Sequence, residues 1–233
     1  MQTPTLILAS ASIGRKGLLT KLGIPFEIIP SSINEDDILH QNPYKLLQKR
    51  ARAKAENVLS QLTHNPQPTS HNFLIVAADS EAVLDGKTYG KAKDREDAKR
   101  IVKALMGKTH EFATATCIIQ LSCHPEHSEG SSEAKKHTVS DLDSSPSAQN
   151  DQRCKEQARC EDLTKTRVTT QKMSDSEINQ YVTRYDFTRF AAAYALTETP
   201  WDWVTKIDGS YTNVVGLPFK ILLPILRKFK IIF

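Results

Sequence analysis

Short apolar runs typical of buried strands alternate along this chain with amphipathic stretches typical of helices. This alternation predicts an α/β fold in which helices flank a mixed sheet. The most apolar of the strand-like runs, Phe73–Ala78, ends at Asp79-Ser80. Strands are predicted at Thr5–Ala9, Phe26–Pro30, Phe73–Ala78, Glu111–Ile119, Phe190–Leu196 and Trp203–Ile207.

Helix end signals and apolar stripes predict five helices. The first follows the Ser10–Lys16 turn, and Asn42-Pro43 opens the second, which is the longest. Asp94 caps the third, and the sequence Ser174–Glu177 is a capping box for the fourth. The fifth is the amphipathic stretch after Gly209–Pro218.

Residues 122–163 have a composition unlike the rest of the chain. They contain no Ile, Phe, Tyr, Trp or Met, but eight Ser and three of the four Cys. Because such a segment buries too little apolar surface to offset its conformational entropy, we expect a mobile insertion there. Since long surface loops cost little stability, we predict a single domain over residues 1–233 that this insertion interrupts between two neighbouring strands.

The charge balance suits an anionic partner. Outside residues 122–163 the chain has 26 basic and 18 acidic residues, and such an excess attracts nucleotides as well as other anions. A nucleic acid is not favoured, because the basic residues are not interleaved with aromatic ones and no known nucleic-acid-binding motif is present.

No apolar run approaches the ~18–20 residues that a membrane span needs. The segment Met1–Ser10 also lacks the basic start of a signal peptide. Four cysteines in 233 residues do not indicate a disulfide scaffold. We therefore expect a cytoplasmic protein without a membrane partner.

The cysteines and histidines raise the alternative of a zinc site. The chain has no Cys-x-x-Cys pair, and the residues concerned lie in a segment of low complexity, so zinc is not favoured. Cys117 lies in an apolar run and is expected in the core. The candidate ligands would be Cys123, His124, His127, Cys154 and Cys160.

Three polar sites lie where strands are predicted to end or helices to begin, which is where open α/β sheets bind ligands. The Ser10–Lys16 turn offers hydroxyls, a helix N-terminus and the Arg15 fork, which together suit a phosphate. The alternative there is a serine cap beside solvated basic side chains.

The second site is Asp79, which can bind a divalent cation or accept a proton from water, or else serve only as a turn former. The third is Gly90–Asp94, where Lys91 and Lys93 either bind phosphates or are solvated. Together the three sites offer cations for phosphates, a metal ligand and a base for water, as phosphoanhydride hydrolysis requires.

Six segments combine into the pattern of a known family. They are Leu6–Glu35, Arg52–Ala55 (RAKA), Val76–Ser80 (VAADS), Leu84–Ala98 (LDGKTYGKAKDREDA), Gly107–Glu111 (GKTHE) and Gly209–Pro218 (GSYTNVVGLP). In sequence and order they resemble the Maf-like nucleoside triphosphate pyrophosphatases, on both sides of residues 122–163.

The resemblance implies a Maf/ITPase-like fold with a substrate cleft. It further implies hydrolysis of a nucleoside triphosphate, canonical or not, to the monophosphate and pyrophosphate, with Mg²⁺ or Mn²⁺. Asp79 matches the family's proton-acceptor aspartate, and Glu35 and Asp94 would position the metal or the water. A homodimer is left open as the assembly. The residues expected to bind the substrate and its phosphates are Ser10, Ser12, Arg15, Lys54 and Lys91.

The positions associated with base choice in the pyrimidine-preferring branch of the family are Gly14, Ser80 and Thr197. All three differ from that branch, so no preference for thymidine or uridine triphosphate is carried over. The segment 188–198 also departs from the family's Gly-rich pattern. That departure and the insertion support a rival hypothesis, a catalytically weak nucleotide-binding regulator of cell division.

Overall fold

A mixed sheet organises the residues that the computed structural model describes, which are 3–64, 72–124, 153–196 and 203–233. In that part of the chain its strands are β1 (Thr5–Leu8), β2 (Glu27–Ile28), β3 (Asn72–Leu84), β4 (Lys87–Tyr89), β5 (Thr109–His124), β6 (Arg153–Thr170) and β7 (Val204–Asp208). The strand order is β2-β1-β3-β5-β6-β7, with β4 also paired to β3. β1 runs parallel to β2 and β3, whereas the other pairs are antiparallel.

Helices pack on both faces of this sheet, which confirms the predicted α/β class. They are α1 (Ile13–Lys21), α2 (Pro43–His64), α3 (Arg95–Leu105), α4 (Asp175–Arg184), α5 (Tyr211–Val215) and α6 (Phe219–Lys228). The five predicted helices are present, and the short α5 is additional. In the ranges given above, no helix has both the length and the apolar composition that a bilayer span requires.

Side-chain alternation along the central strands separates the two faces. Ile75 and Ala77 of β3 pack with the apolar stripe of α2, which includes Ala51. The intervening Leu74 and Val76 face the opposite side and pack with α1 and α6. Successive residues of a strand point to opposite faces, so Asp79 and Glu81 lie on the α2 side of β3 and Ser80 lies on the other side.

One edge of β3 has a gap in its pairing. β1 pairs with β3 only as far as Val76, and β4 starts its pairing at Ala82. The opposite edge is covered by β5 along nearly the whole strand. Between β1 and β4, the edge of Ala77–Glu81 therefore has no strand partner in the described ranges.

Asp79 lies in this gap, in the interior of a 13-residue strand. The prediction that the strand ends at Asp79 is wrong. The apolar run stops at Ala78, but the ladder with β5 continues through Asp79 and Ser80, which pair with Ala115 and Thr114. Backbone pairing extends a strand regardless of side-chain polarity, so the run of apolar residues marked only the first half of β3.

The predicted insertion at 122–163 is too wide. Residues 122–124 belong to β5 and 153–163 to β6, while residues 125–152 lie outside the described ranges. The polar part of β6 is held by its ladder with β5 and by ion pairs to α2, in which Arg159 contacts Glu56 at 2.5 Å and Glu161 contacts Arg52 at 2.7 Å. The polar part of β6 is thus held by ion pairs and not by the burial of apolar side chains that is usual for a strand.

The prediction of a strand at Phe190–Leu196 is also wrong. Ala192 and Ala193 adopt left-handed backbone conformations, with φ of 60° and 56°, which a strand does not accommodate. The segment is held instead by a hydrogen bond from the Ala192 amide to the Gly90 carbonyl (2.8 Å) and one from the Tyr181 hydroxyl to the Ala193 carbonyl (2.6 Å).

His110 on β5 packs against this segment through Tyr194, and its protonation provides a test of the contact. It is 2% exposed, its Nε2 lies 2.8 Å from the Tyr194 hydroxyl, and burial lowers its pKa from 6.5 to about 4. Because the unfolded chain binds the proton more readily, stability is lost as the pH falls from 6.5 towards 4. Protonation of His110 should lower the free energy of unfolding by about 3 kcal/mol.

Urea unfolding across this pH range would measure the effect, with His110→Gln as the comparison. The glutamine amide can still bond to Tyr194 but does not titrate, so the variant should show the weaker pH dependence. Carboxylates contribute equally to both proteins and cancel in the difference. If the free energy of unfolding fell equally with pH in the two proteins, His110 would not be the neutral, buried group described here.

Candidate active site

Lys54 joins two carboxylates beside the gap in β3. Its Nζ lies 2.6 Å from Oδ1 of Asp79 and 2.8 Å from Oε2 of Glu35. Lys54 and Asp79 are each 6% exposed. Lys54 belongs to the face of α2 that packs on the sheet, and Glu35 begins a single 3₁₀ turn after β2. Three separate parts of the chain thus meet at one ammonium group.

The pKa of the Asp79 carboxyl group is raised above its ordinary value. Burial raises its pKa and the negative Glu35 adds to this, while Lys54 and Arg15 act in the opposite direction. Burial also acts to raise the pKa of Glu35, but Lys54 and its other neighbours bring it below the usual value. Oδ2 of Asp79 is buried without a hydrogen-bond partner in the described residues, so it can accept a proton from a bound molecule.

Arg15 lies on the other face of β3 and is 8% exposed. Its Nε donates to the Gly216 carbonyl (2.8 Å), one terminal nitrogen donates to Ser10 Oγ (2.9 Å), and the other donates to Ser80 Oγ (3.0 Å). Asp79 and Glu35 still influence its pKa, although burial has the larger effect and lowers it. The expected free fork is therefore anchored, with two of its five N–H groups left for a ligand.

The serines of the Ser10–Lys16 turn support Arg15 and the start of α1. Ser12 is the N-cap of α1 and accepts from the Arg15 amide (3.5 Å). Ser10 Oγ accepts from the Ser12 amide (3.2 Å) as well as from Arg15. Ser12 is thus the helix cap that was expected as the alternative to a phosphate site. The N-terminal amides of α1 still lie beside the buried Arg15, as a phosphate site would require.

Gly14 and Ser80, two of the three positions that the resemblance associates with base choice, both lie near Arg15. A Cβ on Gly14 would lie 3.0 Å from the Val215 carbonyl, so glycine allows α1 to approach α5 closely. The Ser80 hydroxyl lies 2.9 Å from the Thr114 hydroxyl. Thr197, the third position, lies outside the described residues.

Lys91 and Asp94 are not joined to the Lys54 cluster by any contact in the described part of the chain. Lys91 is exposed and forms a β-bridge with Ala191. Asp94 is exposed and caps α3 by accepting from the Asp97 amide at 2.8 Å. Its cap role accounts for its carboxylate without a metal or water. Any role of Lys91 in binding phosphate is therefore left to the proposal below.

Sequence reasoning missed a second ion pair in the site. Arg50 contacts Oε1 of Glu81 at 3.0 Å and donates from Nε to the Glu35 carbonyl at 3.2 Å. The signal for this pair was spacing: Arg50 lies one helical turn before Lys54, and Glu81 lies two residues after Asp79 on the same strand face.

The side chains of the site can bind a divalent cation only if substrate phosphates or water supply further ligands. In the described ranges no three acidic, histidine or cysteine side chains converge on one point, and Lys54 already occupies the space between Asp79 and Glu35. Two buried carboxylate oxygens, Oδ2 of Asp79 and Oε2 of Glu81, have no hydrogen-bond partner there. Besides them, the partly exposed carboxylate of Glu35 suits Mg²⁺, which proteins often bind through one or two carboxylates while substrate phosphates and water complete the shell.

Of the five candidate zinc ligands, Cys160 alone has a described side chain; His127 and the side chains of Cys123, His124 and Cys154 lie outside the described part of the chain. Cys117 is buried in β5, as expected, and burial raises the pKa of its thiol to about 12. Cys160 is a free, exposed thiol on β6. Neither is part of a group of metal-ligating side chains in the described ranges.

Comparison with known proteins identifies the family of this chain. The model of the family described as Maf-like protein matches residues 5–146 and 144–229. A dTTP/UTP pyrophosphatase of Bdellovibrio bacteriovorus is 30% identical over 97% of this chain and 99% of its own length. The dTTP/UTP pyrophosphatase of Syntrophomonas wolfei is 32% identical over 91% and 90%, and that of Pyrococcus furiosus is 31% identical over 95% and 94%. Matches of this extent to the family model and to these relatives show that the chain belongs to the Maf-like protein family.

Proposed function

We propose that this chain hydrolyses a nucleoside triphosphate to the monophosphate and pyrophosphate, with Asp79 as the general base. The observation that carries the proposal is the buried Asp79 carboxylate, which Lys54 holds by one oxygen while the other has no partner in the described residues. The activity in the names of the relatives supports the same reaction class.

The chemical step balances with water as the nucleophile. The water oxygen forms a bond to the α-phosphorus, and its proton passes to Oδ2 of Asp79. The bond between the α-phosphorus and the bridging oxygen breaks, and its electron pair leaves with pyrophosphate. A pKa raised by burial makes Asp79 a better proton acceptor near neutral pH than an ordinary aspartate.

Cations on both faces of β3 would bind the phosphates. Lys91 is exposed, and Arg15 retains two N–H groups beside the N-terminus of α1. The Ser10 and Ser12 hydroxyls line the same turn. Lys54 contributes charge while it fixes Asp79 and Glu35 in place. These groups would stabilise the negative charge that develops on the departing pyrophosphate.

Glu35 would hold the divalent cation together with the substrate phosphates and water, which leaves Oδ2 of Asp79 to accept the proton. When bound, Mg²⁺ or Mn²⁺ would neutralise phosphate charge and orient the substrate. Asp94 has its own cap contact to the Asp97 amide, so we assign it no ligand role. A homodimeric assembly and a cytoplasmic location stay predictions.

Pyrophosphate release from a panel of triphosphates tests the proposal. The panel should contain UTP, dTTP, the other common triphosphates and base-modified ones, each with Mg²⁺ and with Mn²⁺. We expect stoichiometric monophosphate and pyrophosphate from at least one of them. Nucleotide binding without release from any substrate would overturn the proposal and favour the rival regulator.

The same panel addresses base choice. Ser80 is one of the three positions linked to it, and its hydroxyl is engaged by Arg15 and Thr114. The relatives carry the name dTTP/UTP pyrophosphatase, whereas Gly14, Ser80 and Thr197 all depart from the pyrimidine-preferring pattern. The ratio of kcat/KM values across the panel decides which of these two indications holds.

A further inference from the structure

Two ion pairs lie side by side between α2 and β3. On α2, Arg50 and Lys54 are separated by one helical turn, and on β3, Asp79 and Glu81 are separated by two residues. Lys54 contacts Asp79 at 2.6 Å and Arg50 contacts Glu81 at 3.0 Å. The side chains of Arg50 and Glu81 are each 13% exposed. The second pair is therefore nearly as enclosed as the first.

Arg50 also reaches the loop that carries Glu35. Its Nε donates to the Glu35 backbone carbonyl at 3.2 Å, while Lys54 binds the carboxylate of the same residue. Two side chains of one helix face thus fix the main chain and the side chain of Glu35. Without Arg50, the Glu35 backbone would lose this contact, and Lys54 would still hold the carboxylate of the same residue.

Glu81 reaches the opposite side of the site. A Cβ on Gly90 would lie 3.0 Å from Oε1 of Glu81, so the carboxylate packs directly on the backbone that precedes Lys91. The position of Glu81 is in turn fixed by Arg50. The pair is therefore in contact with the backbone on each side of Asp79, at Glu35 and at Gly90.

We propose that Arg50 and Glu81 are positioning residues, which act as a unit to place the Glu35 loop and the Gly90–Lys91 backbone around Asp79. The inference rests on the proposed pyrophosphatase function. Neither residue is assigned a contact with the reacting atoms. Since misplacement of a site by about 1 Å can cost ~10²-fold in rate, loss of either contact should lower kcat.

The test compares Arg50→Lys with Arg52→Lys. Arg52 lies on the same helix and makes a two-nitrogen contact with Glu161 on the protein surface, at 2.8 and 2.7 Å. Both substitutions keep the charge and lose the guanidinium fork. We expect Arg50→Lys to lower kcat about 10- to 100-fold, with little change in KM, and Arg52→Lys to retain the kcat of the unmodified protein.

Glu81→Gln and the double variant Arg50→Lys/Glu81→Gln complete a double-mutant cycle. If the two residues act as a unit, the double variant should lose no more activity than the worse single variant. Urea unfolding of each variant separates stability from kcat, because a purely structural role would lower stability and leave the kcat of the folded fraction unchanged.

The outcomes separate this inference from the function on which it rests. If the unmodified chain releases no pyrophosphate from any triphosphate, the proposed function fails. If it is active but Arg50→Lys and Arg52→Lys have the same kcat, or if the losses in the cycle simply add, the positioning role is wrong.

Discussion

Replacing Asp79 by asparagine is expected to lower kcat by about 10²- to 10⁴-fold, the usual contribution of a positioned general base. Asparagine has nearly the same shape and its oxygen can still accept from Lys54, which contacts Oδ1 of the aspartate at 2.6 Å. Its amide nitrogen cannot take a proton from water. The rate of pyrophosphate release at saturating substrate measures the loss.

The matched control for this variant is Asp85→Asn. Asp85 is an exposed turn residue just after β3, and asparagine tolerates its left-handed backbone, with φ of 52°. We expect Asp85→Asn to keep full turnover, while Asp79→Asn still binds a non-hydrolysable triphosphate analogue. Asp79→Asn with unchanged kcat would remove Asp79 from the chemistry.

Replacing Lys54 by methionine is expected to lower the free energy of unfolding by about 3–5 kcal/mol at neutral pH. The substitution leaves the buried Asp79 carboxylate without its cation, and Asp79 is only 6% exposed. Part of this cost disappears when the carboxyl group is protonated. The loss should therefore be smaller in acid than at neutral pH, as urea unfolding at the two pH values would show.

Two comparison variants identify the cause of that loss. Lys54→Met/Asp79→Asn removes both charges and should regain much of the stability, because no uncompensated charge remains. Lys99→Met breaks the pair with Glu96 on the exposed face of α3, and surface pairs contribute only about 0–1 kcal/mol. A Lys54→Met protein as stable as Lys99→Met would show that Asp79 does not depend on Lys54.

The sequence was sufficient for the parts of the fold that apolar periodicity marks. The stripe of α2 predicted the helix that packs on Ile75 and Ala77, and the capping box at Ser174 predicted the start of α4. The polar half of β6 gave no such signal, because ion pairs such as Arg159 with Glu56 accompany its ladder. The hydropathy pattern does not predict a polar strand that is held by backbone hydrogen bonds.

Residues of the candidate site could be named from the sequence, but the contacts between them could not be predicted. Arg15 was expected to offer a free fork, yet it donates to Ser10, Ser80 and the Gly216 carbonyl. The last contact joins residues 201 positions apart, and a single sequence carries no trace of it. Glu81 was missed because its partner Arg50 lies on a distant helix, and the spacing of the two residues along their elements does not by itself show that they pair.

A single turnover in water enriched in oxygen-18 tests the central claim most directly. With enzyme in excess over triphosphate, mass spectrometry locates the label in the monophosphate, in pyrophosphate or in the protein. If Asp79 activates water for attack on the α-phosphorus, the monophosphate carries the label in the first turnover. An unlabelled monophosphate with oxygen-18 in the Asp79 carboxylate would contradict the account, because Asp79 would then be a nucleophile and not a base.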